Sequence, residues 1–212
     1  MSRKTRITLT IGGALSIGTL LLAYRAIRWR KDPSACPYSQ RLWVEFPRPF
    51  LGRSRLRRIL APRPGQRVLE VGPGTGYYAP RTARWLSPEG RLDILDVQQE
   101  MLDHSMRRAD RLGLANIVPA RADARELPYP DGSFDAAYLV ATLGEVPEQG
   151  RALEELRRVL KPGGHLVVGE GLPDPHMVRF GSLRAQAEAA GLAFEHRIGD
   201  ALGYLASFRA SP

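Results

Sequence analysis

The run Arg67-Val68-Leu69-Glu70-Val71-Gly72-Pro73-Gly74-Thr75-Gly76-Tyr77-Tyr78-Ala79 constrains this chain more than any other stretch. An apolar segment passes through an acid, and three glycines follow at alternate positions. Glycine reaches backbone conformations closed to other residues and lets a ligand come where a Cβ would stand. A strand that turns through such a loop into a helix points unpaired N–H groups at whatever binds there. The dinucleotide fingerprint is Gly-x-Gly-x-x-Gly. Here the third glycine comes one residue early and position 77 is tyrosine, which disfavours a nicotinamide-dependent oxidoreductase.

From residue 67 onward, short apolar runs alternate with helical patterns. Strands are predicted at 67–71, 91–96, 117–121, 134–141, 165–169, 192–197 and 204–209, and helices at 77–86, 99–112, 148–160 and 178–190. Strands separated by helices require crossover connections. The fold class is therefore α/β, Rossmann-like, with a mostly parallel sheet covered by helices on both faces. Ligands of such sheets sit beyond the C-terminal strand ends. Those places hold Glu70 with Gly72, Gly74 and Gly76; Asp96; Asp123; and Thr142-Leu143-Gly144-Glu145. An acid at the end of the second strand can accept hydrogen bonds from both ribose hydroxyls of an adenosine ligand, and Asp96 stands there.

Several segments occur in order: Val68–Ala79, Leu95-Asp96 with Met101-Leu102, Asp123-Ala124, the stretch 127–135 (Leu-Pro-Tyr-Pro-Asp-Gly-Ser-Phe-Asp), and 156–164 (Leu-Arg-Arg-Val-Leu-Lys-Pro-Gly-Gly). Together they resemble the class I S-adenosylmethionine (SAM) methyltransferases, in particular the small-molecule enzymes related to ubiquinone and menaquinone biosynthesis. The resemblance implies a seven-stranded sheet with strand 7 antiparallel, and SAM as cofactor. It implies that Gly72, Gly74 and Gly76 line the methionine and ribose and that Glu70 anchors the region of the methionine ammonium. Asp96 would hold the ribose, Val97 and Met101 would pack near the adenine, and Asp123 would meet its amino group beside Ala124. Leu143 would lie near the sulfonium. Where many relatives carry His or Asn after strand 4, this chain has Leu-Gly-Glu-Val, so substrate and base do not transfer. The Asn/Asp-Pro-Pro-aromatic motif of DNA amino-methylating enzymes is absent, which argues against nucleic acid as substrate.

The chain's net charge of +9 is unevenly placed. Residues 1–60 hold 13 Lys/Arg against 2 Asp/Glu, whereas the remainder is slightly acidic. Ile7–Tyr24 is 18 residues without a charge, about 27 Å as a helix and close to a bilayer core of about 30 Å. Basic residues flank it, more of them on the C-terminal side. The reading is a single-pass membrane anchor, residues 1–31, with the body in the cytoplasm. A proline-rich connector, 32–61, follows, with short helices expected at 39–46 and 53–60; it is read either as packing or as a lid. Residues 62–212 form the SAM-binding domain. The lone Cys36 excludes an intramolecular disulfide.

Methyl transfer from a sulfonium needs a base only where the acceptor must lose a proton. The expected acid–base groups are Glu145, after strand 4, and His176, in the loop after strand 5; no metal site is expected. A small, lipophilic acceptor delivered at the membrane is expected from the adjacent anchor. The alternative is a membrane-tethered nucleotide-binding module, or a degenerate methyltransferase without catalysis.

Overall fold

A computed structural model describes residues 33–45 and 48–211. The expected anchor at 7–24 and the end of the expected helix at 39–46 lie outside them. Among the described residues no helix is long and apolar enough to cross a membrane.

Seven strands form one sheet: β1 (Arg67–Val71), β2 (Arg91–Asp96), β3 (Ile117–Arg121), β4 (Phe134–Val140), β5 (Leu160–Gly171), β6 (Leu192–Gly199) and β7 (Gly203–Ala210). Their order is β3-β2-β1-β4-β5-β7-β6. The β1–β2, β2–β3, β1–β4 and β4–β5 pairs are parallel, and β7 runs antiparallel to both neighbours. The sheet and the antiparallel strand 7 agree with the sequence reading.

Alternation along the strands divides the core in two. Val68, Tyr138, Val140 and Val167 face α1 to α4's side of the sheet, where α2 (Arg53–Leu60), α3 (Ala79–Leu86) and α4 (Gln99–Arg111) bury Leu56, Leu60, Ala83, Leu86 and Leu102; the short α1 is Arg41–Glu45. Leu69, Val71, Leu139 and Val168 face α5 (Gln149–Val159) and α6 (Phe180–Ala189), which bury Leu153, Leu156, Leu183 and Ala187. One acid is sealed inside the sheet for purely structural ends. Asp93 in β2 is 1% exposed and pairs with Arg67 at 3.0 Å and Arg91 at 2.6 Å.

Element ends differ from expectation for local reasons. The helix after the glycine loop starts at Ala79 rather than Tyr77, because Tyr77 and Tyr78 still carry the chain out of the left-handed Gly76 (φ +77°). Glu148 is itself left-handed (φ +52°), so α5 starts one residue later than predicted. β5 starts at Leu160, five residues early, where Leu160 pairs with Phe134 beside a bulge in β4. The connector from Ser34 onward joins the sheet and helices in one compact unit. It contains a 3-10 turn, Tyr38–Gln40, then α1. A second 3-10 turn, Pro49–Leu51, leads into α2, which keeps the predicted bounds 53–60.

Candidate active site

The strand order reverses between β1 and β4, so the chain leaves these neighbours in opposite lateral directions and opens a crevice at their C-terminal ends. Gly72 and Gly76 line it in the left-handed region, at φ +70° and +77°. A Cβ on Gly72 would stand 2.3 Å from Thr142 Cγ2, and one on Gly76 would stand 2.8 Å from Ser105 Oγ. Ser105 donates to the Gly74 carbonyl at 3.2 Å, which ties the loop to α4. The loop is thus a bare-backbone cradle that side chains would fill, and it suits the tail and ribose of a nucleoside cofactor.

Asp96, 8% exposed, ends β2. Its Oδ1 accepts the Gln98 N–H at 3.0 Å, and no ion pair among the described residues engages it. Burial pushes its carboxyl up, while the amides of Gln98, Gly74 and Val97 pull it back. Unlike Asp93, it keeps acceptor capacity for a ligand. Val97 is half exposed beside it and Met101 is buried on α4. Asp123 is already engaged. Arg125 Nε and Nη2 reach its carboxylate at 2.8–3.2 Å and hold it below the usual carboxylate range, so a ligand amine would share it with Arg125. Ala124 is buried beside it.

Glu70 is buried and accepts the Tyr138 hydroxyl at 2.7 Å; that hydroxyl also lies 3.0 Å from Thr82 Oγ1. Burial pushes Glu70 up to about 8. It therefore stands under the loop on the α2–α4 side of the sheet, and its influence on a cofactor tail is exerted largely as a neutral acid.

Leu143 is buried and Glu145 half-buried in a 3-10 turn, Leu143–Glu145, after β4. Glu145 Oε2 accepts the Cys36 N–H at 3.1 Å. Desolvation, then Asp174 and Asp96, push it up to about 7 against the Cys36 hydrogen bond. His176 is brought to the same place through its backbone. A Cβ on Gly144 would meet the His176 carbonyl oxygen at 2.0 Å, and the His176 N–H donates to Asp174 Oδ1 at 2.8 Å. The loops after β4 and β5 are thus in contact.

Four residues stand at this edge that the sequence reading left out. Glu170 ends β5 fully buried; its Oε2 accepts the Val178 N–H at 3.2 Å, Oε1 has no hydrogen-bond partner, and burial pushes it up to about 8. Its place one residue past a predicted strand was a usable signal. Gln98 grips the connector from both sides of its amide: Nε2 donates to Cys36 O at 2.9 Å and Oε1 accepts from Tyr38 N at 3.1 Å. Tyr78 donates to Leu51 O at 2.6 Å, and Arg48 Nη1 donates to Val140 O at 3.2 Å. The connector is therefore a strap, fastened across the ends of β2 and β4.

The buried acids have a thermodynamic consequence. An acid whose folded value is raised contributes stability below its unfolded value, and loses it as pH rises through the folded one. Glu70 and Glu170 do this up to about 8 and Glu145 up to about 7. His165, held below its usual 6.5 by burial, acts in the opposite sense, but only as pH falls through 6.5. Melting temperature is expected to decline from pH 6.5 to 8.5, and Glu170→Gln to flatten that slope; a slope rising with pH in thermal melts would contradict the assignment.

The fold and the cradle resemble those of the class I SAM-dependent methyltransferases, which implies SAM as the cofactor. Residues 68–164 match the family model described as a methyltransferase domain. Over 109 residues the chain is 39% identical to the ubiquinone/menaquinone biosynthesis C-methyltransferase UbiE of Teredinibacter turnerae, which covers 51% of this chain and 44% of that protein. Over 118 residues it is 40% identical to an uncharacterized 37.1 kDa protein in transposon TN4556 of Streptomyces fradiae, covering 56% of this chain and 34% of that one. The chain thus spans less than half the length of these curated relatives. A SAM-dependent methyltransferase from Aquifex aeolicus superposes with a TM-score of 0.76 at 22% identity, over 83% of this chain and 100% of that chain. The cyclase SpnF superposes with a TM-score of 0.67 at 24% identity, over 75% and 79%.

Proposed function

We propose that this protein transfers the methyl group of SAM to a small, lipophilic acceptor at the cytoplasmic face of a membrane, to which residues 7–24 tether it. The observation that carries the methyl-transfer reading is the joint placement of the glycine cradle, Asp96 and Glu145 along one sheet edge. Bound there, the cofactor supplies an activated methyl on a sulfonium. The chain supplies the rest: the loop and Asp96 orient, the strap limits water, and Glu145, raised to about 7, is suited to take an acceptor proton near neutral pH. Similarity to ubiquinone/menaquinone biosynthesis C-methyltransferases and the uncharged segment 7–24 support a lipophilic acceptor.

Two measurements test this. Full-length protein is incubated with lipid extract and methyl-labelled SAM; label should enter a lipid-soluble product only when the protein is present. Asp96→Ala should retain its fold and lose about 1–3 kcal/mol of affinity for S-adenosylhomocysteine in calorimetry, as the ribose loses hydrogen bonds. Unchanged affinity refutes the site. Tight binding without transfer to any extract favours the non-catalytic module.

A further inference from the structure

Arg48 belongs to no motif in the sequence, yet the fold brings it to the centre of the crevice. Val71 pairs with Leu139, so Gly72 and Val140 stand side by side where β1 and β4 part. Arg48 Nη1 donates to the Val140 carbonyl there. Two neighbouring bonds hold this part of the strap against the loop. Tyr78 donates to Leu51 O, and Arg53 Nε donates to Tyr77 O at 2.9 Å with its guanidinium 4.0 Å from the centre of the Tyr77 ring. The position of Arg48 is therefore fixed by backbone on either side of the glycine cradle.

Arg48 keeps a charge that no ion pair among the described residues takes up. A guanidinium has five N–H donors; the Val140 carbonyl takes one and the Tyr78 hydroxyl engages another, which leaves donors for a ligand. Its field reaches Glu70, Tyr78, Glu145 and Cys36, lowering all four, so it lies among the groups that line the crevice. Glu70, below the loop, is pushed up to about 8 by burial and forms no ion pair with it. A half-buried cation that takes part in no ion pair among the described residues suits an anionic ligand, and a planar fork of donors matches a carboxylate.

We propose that Arg48 binds the carboxylate of the methionyl end of SAM, so that the strap itself is part of the cofactor site. This rests on the SAM reading above and deepens it. The glycine loop and Asp96 recognise the nucleoside end, which many nucleosides share. Arg48 adds recognition of the amino-acid end, and with it discrimination against adenosine compounds that lack the carboxylate.

The experiment compares SAM with decarboxylated SAM, which keeps adenosine, sulfonium and amine and lacks only the carboxylate. Calorimetry is performed on the full chain and on Arg48→Gln and Arg48→Lys. Wild type should bind SAM at least tenfold more tightly than the decarboxylated compound. Arg48→Gln should weaken SAM ten- to a hundredfold and leave the decarboxylated compound within about threefold, which erases the preference; Arg48→Lys should retain part of it. Equal loss for both ligands makes Arg48 a structural strut and overturns the proposal, as does an unchanged preference in Arg48→Gln. If the glutamine variant does not fold, the wild-type comparison still decides, because indifference to the carboxylate is incompatible with the assignment. A wild type that binds neither ligand overturns the SAM reading as well, a result distinct from indifference.

Discussion

Turnover in Glu145→Gln is expected to fall about 10²-fold or more while S-adenosylhomocysteine binding survives. Glutamine keeps the size of the side chain and an oxygen for the Cys36 N–H, which Glu145 accepts at 3.1 Å. What it removes is the ability to take a proton. Because burial pushes Glu145 up to about 7, the base would be half-formed near neutrality. The wild-type kcat profile should rise as pH passes through about 7 and level off above it, and the variant should lack that limb. The competing role is purely mechanical, with Glu145 serving as the peg for the strap. In that case the loss would appear in KM for SAM with the pH limb intact, and measuring both parameters across pH 5.5–8.5 separates the two.

Gly144→Ala is expected to be at least as damaging, by a different route. The added methyl would stand 2.0 Å from a backbone oxygen, that of His176, and 3.0 Å from the His176 Cβ. A rotamer change cannot relieve contact with a carbonyl, so one loop must move. Overpacking of this kind costs about 1–3 kcal/mol. In a chain of this size that corresponds to a melting temperature lower by roughly 2–12 °C. The larger effect falls on catalysis, since the displaced turn carries Leu143 and Glu145. A variant with normal turnover and an unchanged melting curve would show that the two loops do not need their observed contact.

The sheet, its order-defining crossovers and the cofactor edge were legible because each is written locally. Apolar runs of five to seven residues mark β1, β2 and β4, and Gly72, Gly74 and Gly76 mark a turn that only such residues make easily. Asp96 was legible from its distance beyond the glycines. Other features were not, because they depend on partners far away in sequence. Nothing near Arg125 announces that it also pairs with Glu148, 23 positions on. Nothing in the connector says that Cys36 reaches a residue 109 positions on, or that Arg48 reaches one 92 positions on. Glu145 and His176 were named as two candidates for one role on different loops; the contact between those loops rests on Gly144, whose missing side chain lets them touch.

The strap is gripped by its main chain at the cofactor edge. Gln98 takes hold of Cys36 O and Tyr38 N, Glu145 takes Cys36 N, and Tyr78 takes Leu51 O. A peptide group is the same at every residue, so these holds do not depend on which side chains the strap carries. Drift at position 36 therefore costs little in these holds, whereas Tyr38 also meets His104 Nδ1 through its hydroxyl at 3.2 Å, and Gln98, Glu145 and Tyr78 are each confined to a narrow choice. In evolutionary terms the main-chain holds are fixed fittings, and several strap side chains can be exchanged on them without rebuilding the sheet edge beneath.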